Sequence, residues 1–196
     1  MALREPSPQL GDIALKIHTV AVQDLVRISR HNSGEPFFGR QAANRFDDPA
    51  RQFGTCYCGL DLTTALAETV LHDEVPMGGK FYVPREEVLT RYAVHFNRSD
   101  QQLRLANLTG PSLAVLGADG AISTDAFAVP QRWAAALHEH SAAVDGLLYV
   151  SRVVNDRYAV AVFDRAAHKL GEATYAPLKE AVGLDHAQHL LSMVLR

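Results

Sequence analysis

The 196-residue chain predicts an α+β fold, a mixed sheet of about six strands flanked by helices. Three observations carry that expectation. Short alternating or wholly apolar runs outnumber segments of helical period. The helical segments fall between clusters of strands. The composition, 47% hydrophobic and 21% charged, suits a globular chain able to bury one sizeable core and excludes a collagenous, coiled-coil or disordered chain.

Residues 1–20 read as a loose N-terminal arm, with the breakers Pro6, Pro8 and Gly11 in its first twelve positions, leaving 21–196 as a single domain. Leu25-Val26-Arg27-Ile28-Ser29 alternates and predicts a first strand. Residues 31–54 are poor in aliphatics and form a long loop, a kind of segment that is usually functional when ordered. Thr55 to Cys58, between Gly54 and Gly59, is a short strand. Asp61 can cap a helix running to about His72, with Leu62, Ala65, Leu66 and Val70 as its apolar stripe and Glu68 at the stripe's margin. Phe81-Val83, Tyr92-Phe96 and Leu103-Leu105 read as strands, 111–118 and 130–142 as helices. Pro130 suits a first helical turn. Gly146-Leu147-Leu148-Tyr149-Val150-Ser151 and Tyr158-Phe163 are two further strands, and Leu184–Leu195 is a C-terminal amphipathic helix.

The net charge of −3 gives no attraction to nucleic acid or anionic lipid. No apolar run reaches the roughly 20 residues of a membrane span, and the N-terminus has no apolar signal core, so a cytoplasmic protein is expected. Cys56 and Cys58 are too close on one strand to pair and read as two reduced, buried residues on one face. The nine histidines suggest no metal set. His138 and His140 are two apart on a helix, and His186 and His189 converge with Asp185 alone nearby, so surface histidines are expected. Dinucleotide-binding glycine fingerprints, P-loops and nucleophile elbows are absent from the sequence. The densest basic group, Arg27, Arg30, Arg40, Arg45 and Arg51, lies in and around the long loop. It reads equally as a solvated surface or as a site for an anionic ligand.

Arg27 on a strand, Arg45-Phe46-Asp47-Asp48-Pro49 in the loop, Tyr57 on the next strand, Ala65-Leu66-Ala67-Glu68-Thr69 on a helix and Gly146 to Ser151 on a late strand form an ordered set. That order resembles the RES domain, from about residue 25 to 165. The resemblance implies an ADP-ribosyltransferase-like fold and an NAD-consuming toxin of a bacterial toxin–antitoxin pair, acting as a glycohydrolase or phosphorylase on the nicotinamide–ribose bond. NAD would be substrate and no cofactor would be needed. It implies a helix-turn-helix antitoxin as partner, with homo-oligomers compatible. Two alternatives stand beside it: a mono-ADP-ribosyltransferase acting on a protein, and a degenerate, non-catalytic binding domain.

Carried over, Arg45, Glu68 and Ser151 would be catalytic, and Arg27, Arg45, Tyr57 and Ser151 would bind substrate. The residue types fit the chemistry. Nicotinamide leaves as a neutral ring, so no strong acid is required, while the ribose gains oxocarbenium character that a carboxylate such as Glu68 stabilises. Arginine forks suit a pyrophosphate. The π-face of Tyr57 suits a cationic ring, and Ser151 can bond ribose or the nicotinamide amide. Asp47 stands where the family carries asparagine. It is expected to turn from the ligand and cap the loop, with Asp48-Pro49 making a turn. The tail beyond about residue 165 is longer than a minimal member needs.

Overall fold

The computed structural model describes residues 3–196. Among them the strands are β1 (Ile17–Ala21), β2 (Val26–Ser29), β3 (Thr55–Gly59), β4 (Phe81–Val83), β5 (Tyr92–Phe96), β6 (Gln102–Leu108), β7 (Gly146–Val150), β8 (Tyr158–Phe163), β9 (Ala173–Pro177) and β10 (Met193–Leu195). The helices are α1 (Leu62–Thr69), α2 (Glu86–Leu89), α3 (Gly110–Val115), α4 (Ala128–Glu139), α5 (Ala167–Leu170) and α6 (Leu184–Leu190). Eight strands form one sheet in the order β1-β6-β7-β8-β3-β2-β5-β9, and β10 pairs with β4 in a small parallel pair. The large sheet is mixed. Only β6 and β7 run parallel within it, joined by the crossover that carries α3 and α4. The α+β class is as expected, with two more strands in the main sheet than the sequence pattern suggests. No helix among the described residues is long and apolar enough to cross a membrane.

Strand alternation divides the core. Leu147, Tyr149, Ala159 and Ala161 face α4 and its buried Trp133. At the β2 end, α1 lies over Val26 and Ile28, backed by α6 and β4. Cys56, Cys58, Leu148, Val160 and Val162 face the opposite side, under Leu25 and Leu170. Both thiols are free and buried on one strand face, as read from the sequence.

Three expectations change. Residues 3–20 are not a loose arm: Leu3 and Leu10 are buried in the core, the Trp133 indole N–H donates to the Arg4 carbonyl at 2.8 Å, and β1 closes the sheet's edge against β6. Met1 and Ala2 lie outside the described residues. The C-terminal segment is not one helix. It breaks at Ser192, whose φ of 50° ends α6 and lets β10 run beside β4. His140 is not a surface residue, because its ring joins the Ile13 carbonyl to the Ala142 N–H at 3.1 and 3.0 Å.

One irregularity places the site. β2 pairs with β5 from Val26 to Ser29 and β3 pairs with β8 along its whole length, yet β2 and β3 meet only at Val26 and Gly59. Beyond that pair the two strands part. Gly59 also seats α1: a Cβ there would lie 2.6 Å from the Ala65 nitrogen and 2.8 Å from the Asp61 carbonyl oxygen. Asp61 caps α1 as expected, accepting from the Thr64 N–H at 2.7 Å.

At Gly146, a Cβ would fall 2.2 Å from the carbonyl oxygen of Ala161 on the paired strand. Gly146→Ala is therefore expected to lower stability by about 1–3 kcal/mol through overpacking. Gly120→Ala, built into open space, should stay within about 0.5 kcal/mol of the parent. Urea unfolding of the two variants checks this, and equal midpoints would contradict it.

Candidate active site

A cleft of about 250 Å³ opens where β2 and β3 part. Its wall includes Arg27 from β2, Tyr57 from β3, Glu68 from α1, Tyr149 from β7, and Asn44 and Arg45 from the long loop. The structure thus gathers four of the five residues singled out in the sequence.

Glu68 is the most constrained of them. Its Oε1 accepts from the Ser151 hydroxyl at 2.6 Å and from the Arg152 N–H at 3.2 Å. Its Oε2 accepts from the Tyr149 hydroxyl at 3.3 Å. Three donors from one strand end therefore fix a half-buried carboxylate at the cleft wall. Burial, and then the Glu68 carboxylate, hold the Tyr149 phenol well above its ordinary range, so it stays a neutral donor. Ser151 is 1% exposed and lies outside the cleft wall; its oxygen also accepts from the Val154 N–H at 3.2 Å. Its hydroxyl is thus engaged with Glu68 and turned from the cleft, where the sequence reading has it binding substrate.

Arg45 is buried along its stem. Its Nη1 donates to the Asp125 carbonyl, and its guanidinium carbon lies 5.0 Å from the centre of the Phe127 ring. Among the described residues its Nε and Nη2 have no protein acceptor. Burial first, then Arg152, lower its proton affinity, while Tyr149 and Glu68 act against that.

Asp47 faces the loop, as expected. Its Oδ2 accepts from the backbone N–H groups of Ala43 and Asn44 at 3.0 and 2.9 Å and from the Asn44 side-chain amide at 3.1 Å. Its Oδ1 accepts from the Tyr57 hydroxyl at 2.9 Å, and that hydroxyl accepts from the Phe46 N–H at 2.9 Å. The polar end of Tyr57 thus ties the loop to the sheet, leaving its ring to line the cleft. Asp48 makes the following turn, taking the N–H groups of Ala50 and Gln52 at 2.9 and 2.5 Å.

Arg27 is more committed than the sequence suggests. Nε donates to Glu35 at 2.8 Å and Nη1 to the Tyr57 carbonyl at 3.0 Å, across the gap between the strands. It lines the cleft with much of its fork already engaged. The sequence reading did not single out Tyr149, Phe127, Asn44 or Arg152. Tyr149 sits within the same apolar strand run as Ser151, two positions earlier, which was its available signal. Phe127 carries no pattern in sequence, because its place beside Arg45 arises only from packing of the segment before α4. Among the described residues no group of three or more His, Cys, Asp or Glu side chains is placed to hold a metal ion.

The family model described as "RES domain" matches residues 24–182, reaching past the end of the motif-bearing region read from the sequence. Among solved structures, a chain of the M. tuberculosis MbcT-MbcA toxin-antitoxin complex matches with a TM-score of 0.53 and 13% identity, over 95% of this chain and 98% of that one. At that identity the likeness is one of fold. No curated protein matches the sequence.

The raised Tyr149 phenol gives a pH prediction. Below about pH 10 the phenol is protonated in both folded and unfolded chains. Above it the unfolded chain loses a proton that the folded chain keeps, so stability falls as pH rises, by up to about 1.4 kcal/mol per pH unit for this group. Tyr149→Phe removes that slope. The stability gap between parent and variant should narrow between about pH 10 and 11, read from urea midpoints; parallel curves would contradict the assignment.

Proposed function

The chain belongs to the RES domain family, and from that premise we propose that it is the toxin of a toxin–antitoxin pair, cleaving the bond between nicotinamide and ribose in NAD. The observation that carries this reading is the Glu68 carboxylate, fixed by the Ser151 and Tyr149 hydroxyls and the Arg152 N–H in the same cleft as Arg45. The MbcT-MbcA complex, similar in fold, is a toxin bound to its antitoxin, which supports a neutralising antitoxin here, of helix-turn-helix type on the family resemblance.

The chemistry follows from the groups present. In the substrate the glycosidic nitrogen is cationic. As the C1′–N bond breaks, its electron pair goes to the ring, which leaves neutral without needing a proton. Positive charge passes to C1′ and the ring oxygen of the ribose. Glu68, already oriented, stabilises that charge and can accept a hydrogen bond from a ribose hydroxyl. Water or phosphate then adds to C1′; with water a proton is released and ADP-ribose remains, with phosphate its phosphorylated form. Arg45 offers Nε and Nη2 to the pyrophosphate. The Tyr57 face accompanies the cationic ring. Ser151 acts through Glu68. The volume of about 250 Å³ falls below the roughly 300–1,000 Å³ of sites that enclose a drug-sized ligand, so the cleft would enclose part of a dinucleotide and leave the rest along its open side.

Glu68→Gln preserves size and removes the charge. NAD loss and nicotinamide release, followed by chromatography on the purified chain, should fall roughly a hundred- to a thousandfold, the effect of removing one transition-state stabilising group. Retention of half the parent rate would end the assignment. The same assay with labelled NAD separates release of ADP-ribose from transfer to protein.

Arg45 yields a graded prediction. Arg45→Ala should raise KM for NAD more than Arg45→Lys, and lysine should restore binding only in part, because it keeps the charge but loses the planar fork and its seat on Phe127. A lysine variant equal to the parent would show that the fork does not clamp phosphate.

A further inference from the structure

We propose that Phe37 is the stacking face for the base at the far end of the substrate, a purine, and that it sets the preference for ligands carrying that base. This rests on the reading of the cleft as an NAD site. Phe37 is 59% exposed, and it alone of the large, exposed apolar side chains among the described residues lines the cleft. Isolated apolar side chains on a surface need no explanation. Phe37 differs because the backbone on both sides of it is fastened.

Its own N–H donates to Glu35 Oε2 at 2.8 Å, the oxygen that also takes the Arg27 Nε–H at 2.8 Å. The Glu35 N–H donates to the Tyr175 hydroxyl at 2.8 Å. Two residues after Phe37, Gly39 and Thr55 exchange backbone bonds at 3.1 and 3.0 Å. An exposed phenyl ring on an anchored backbone is an apolar face prepared in advance, and little order has to be gained when a flat partner covers it.

The sheet register sets the spacing. Gly39 lies level with Thr55 at the start of β3. Tyr149, which holds Glu68, lies level with Ala159 and through it with Gly59 at the strand's end. The two levels are four residues apart, about 13 Å at roughly 3.3 Å per residue. The Arg45 peptide falls between them: the Phe46 carbonyl accepts from the Thr55 hydroxyl at 3.2 Å and the Phe46 N–H bonds the Tyr57 hydroxyl. The cleft therefore carries a carboxylate toward one level and an aromatic face toward the other, with the loop that bears Arg45 tied to β3 between them. A glycosidic centre, a pyrophosphate and a second base occur in that order along NAD. Phenylalanine has no polar atom with which to read a base edge, so it favours ring area, and a purine offers more of it than a pyrimidine.

The test is calorimetric titration of the full-length chain with two probes, ADP and inorganic pyrophosphate, for the parent, Phe37→Ala and Phe37→Tyr. Stacking of one base supports a loss of about tenfold or more in ADP affinity for Phe37→Ala, recovery to within about twofold in Phe37→Tyr, and unchanged pyrophosphate affinity in both. Equal ADP affinity in parent and Phe37→Ala, absence of ADP binding by the parent, or equal loss of both probes would each overturn the proposal. The last result would assign Phe37 to loop structure, and the first two would leave the exposed ring for a protein partner. Turnover of NAD by the parent and by Glu68→Gln is read separately, so an inactive parent cleft that still stacks ADP on Phe37, and an active cleft that does not, are distinct results.

Discussion

The cleft depends on one arginine spanning a gap in the sheet. Where β2 leaves β3 after Val26 and Gly59, the Tyr57 carbonyl loses its strand partner. A buried carbonyl without a donor is unfavourable by about 1–3 kcal/mol. The guanidinium of Arg27 supplies that donor at 3.0 Å. Its charge is matched in turn by Glu35, whose side chain is only 3% exposed. Desolvation alone would lower the arginine's proton affinity, but Cys56, Glu35 and Cys58 around it outweigh that and hold it above the ordinary value. The side chain bridges the gap where β2 and β3 no longer pair. Because Glu35 also accepts the Phe37 N–H, the same ion pair anchors the loop that walls the cleft.

A loop poor in aliphatic residues has little hydrophobic drive to adopt one shape, and here two aspartates substitute for it. Asp47 and Asp48 are 1% and 3% exposed; Asp48 is spent on backbone N–H groups of its own loop, and Asp47 on two such groups together with the Asn44 amide and the Tyr57 hydroxyl. Buried carboxylates are tolerated because each is surrounded by donors. Tyr57 then couples this capped loop to β3 through its hydroxyl, which donates to Asp47 and accepts from Phe46. The arginine that follows Asn44 is delivered to the cleft by this frame, and its guanidinium lies over the Phe127 ring. Asp47, where the family carries asparagine, serves this frame, so its charge is turned from the ligand.

The sequence made the inner strands and α1 legible for a simple reason. Those elements bury one or both faces, and burial imposes a period. Edge strands do not. β1 buries only Val20 among its five residues, and β9 ends in Pro177, a residue that an edge tolerates and an inner strand does not. The apolar run from Leu184 onward reads as one helix because leucine and methionine serve both states; the break comes from the backbone at Ser192 and from a partner strand about 110 residues earlier, which no local pattern encodes. The site followed the same division. Residue types and order pointed to Arg45, Tyr57 and Glu68, whereas the role of Ser151 depended on which way its hydroxyl faces, and that is fixed by the strand end it shares with Tyr149 and Arg152.

Charge balance in the cleft links these parts to the proposed reaction. Burial first, and then Arg152 nearby, lower the hold of Arg45 on its proton, and Glu68 lies near Arg45 with the opposite effect. NAD, with two phosphate charges and one cationic ring, carries one net negative charge; on the proposed reading Arg45 would meet its phosphates and Glu68 its ring. The arginines alone would repel the nicotinamide end. In the proposed reaction Glu68 would offset this beside the ring, and it would gain more once bond breaking moved the positive charge from the ring to the ribose. A carboxylate free to rotate would follow the ground-state cation and lose that difference. The Ser151 and Tyr149 hydroxyls and the Arg152 N–H hold it in one orientation, so in the proposed reaction its stabilisation would fall on the transition state and not on the bound substrate.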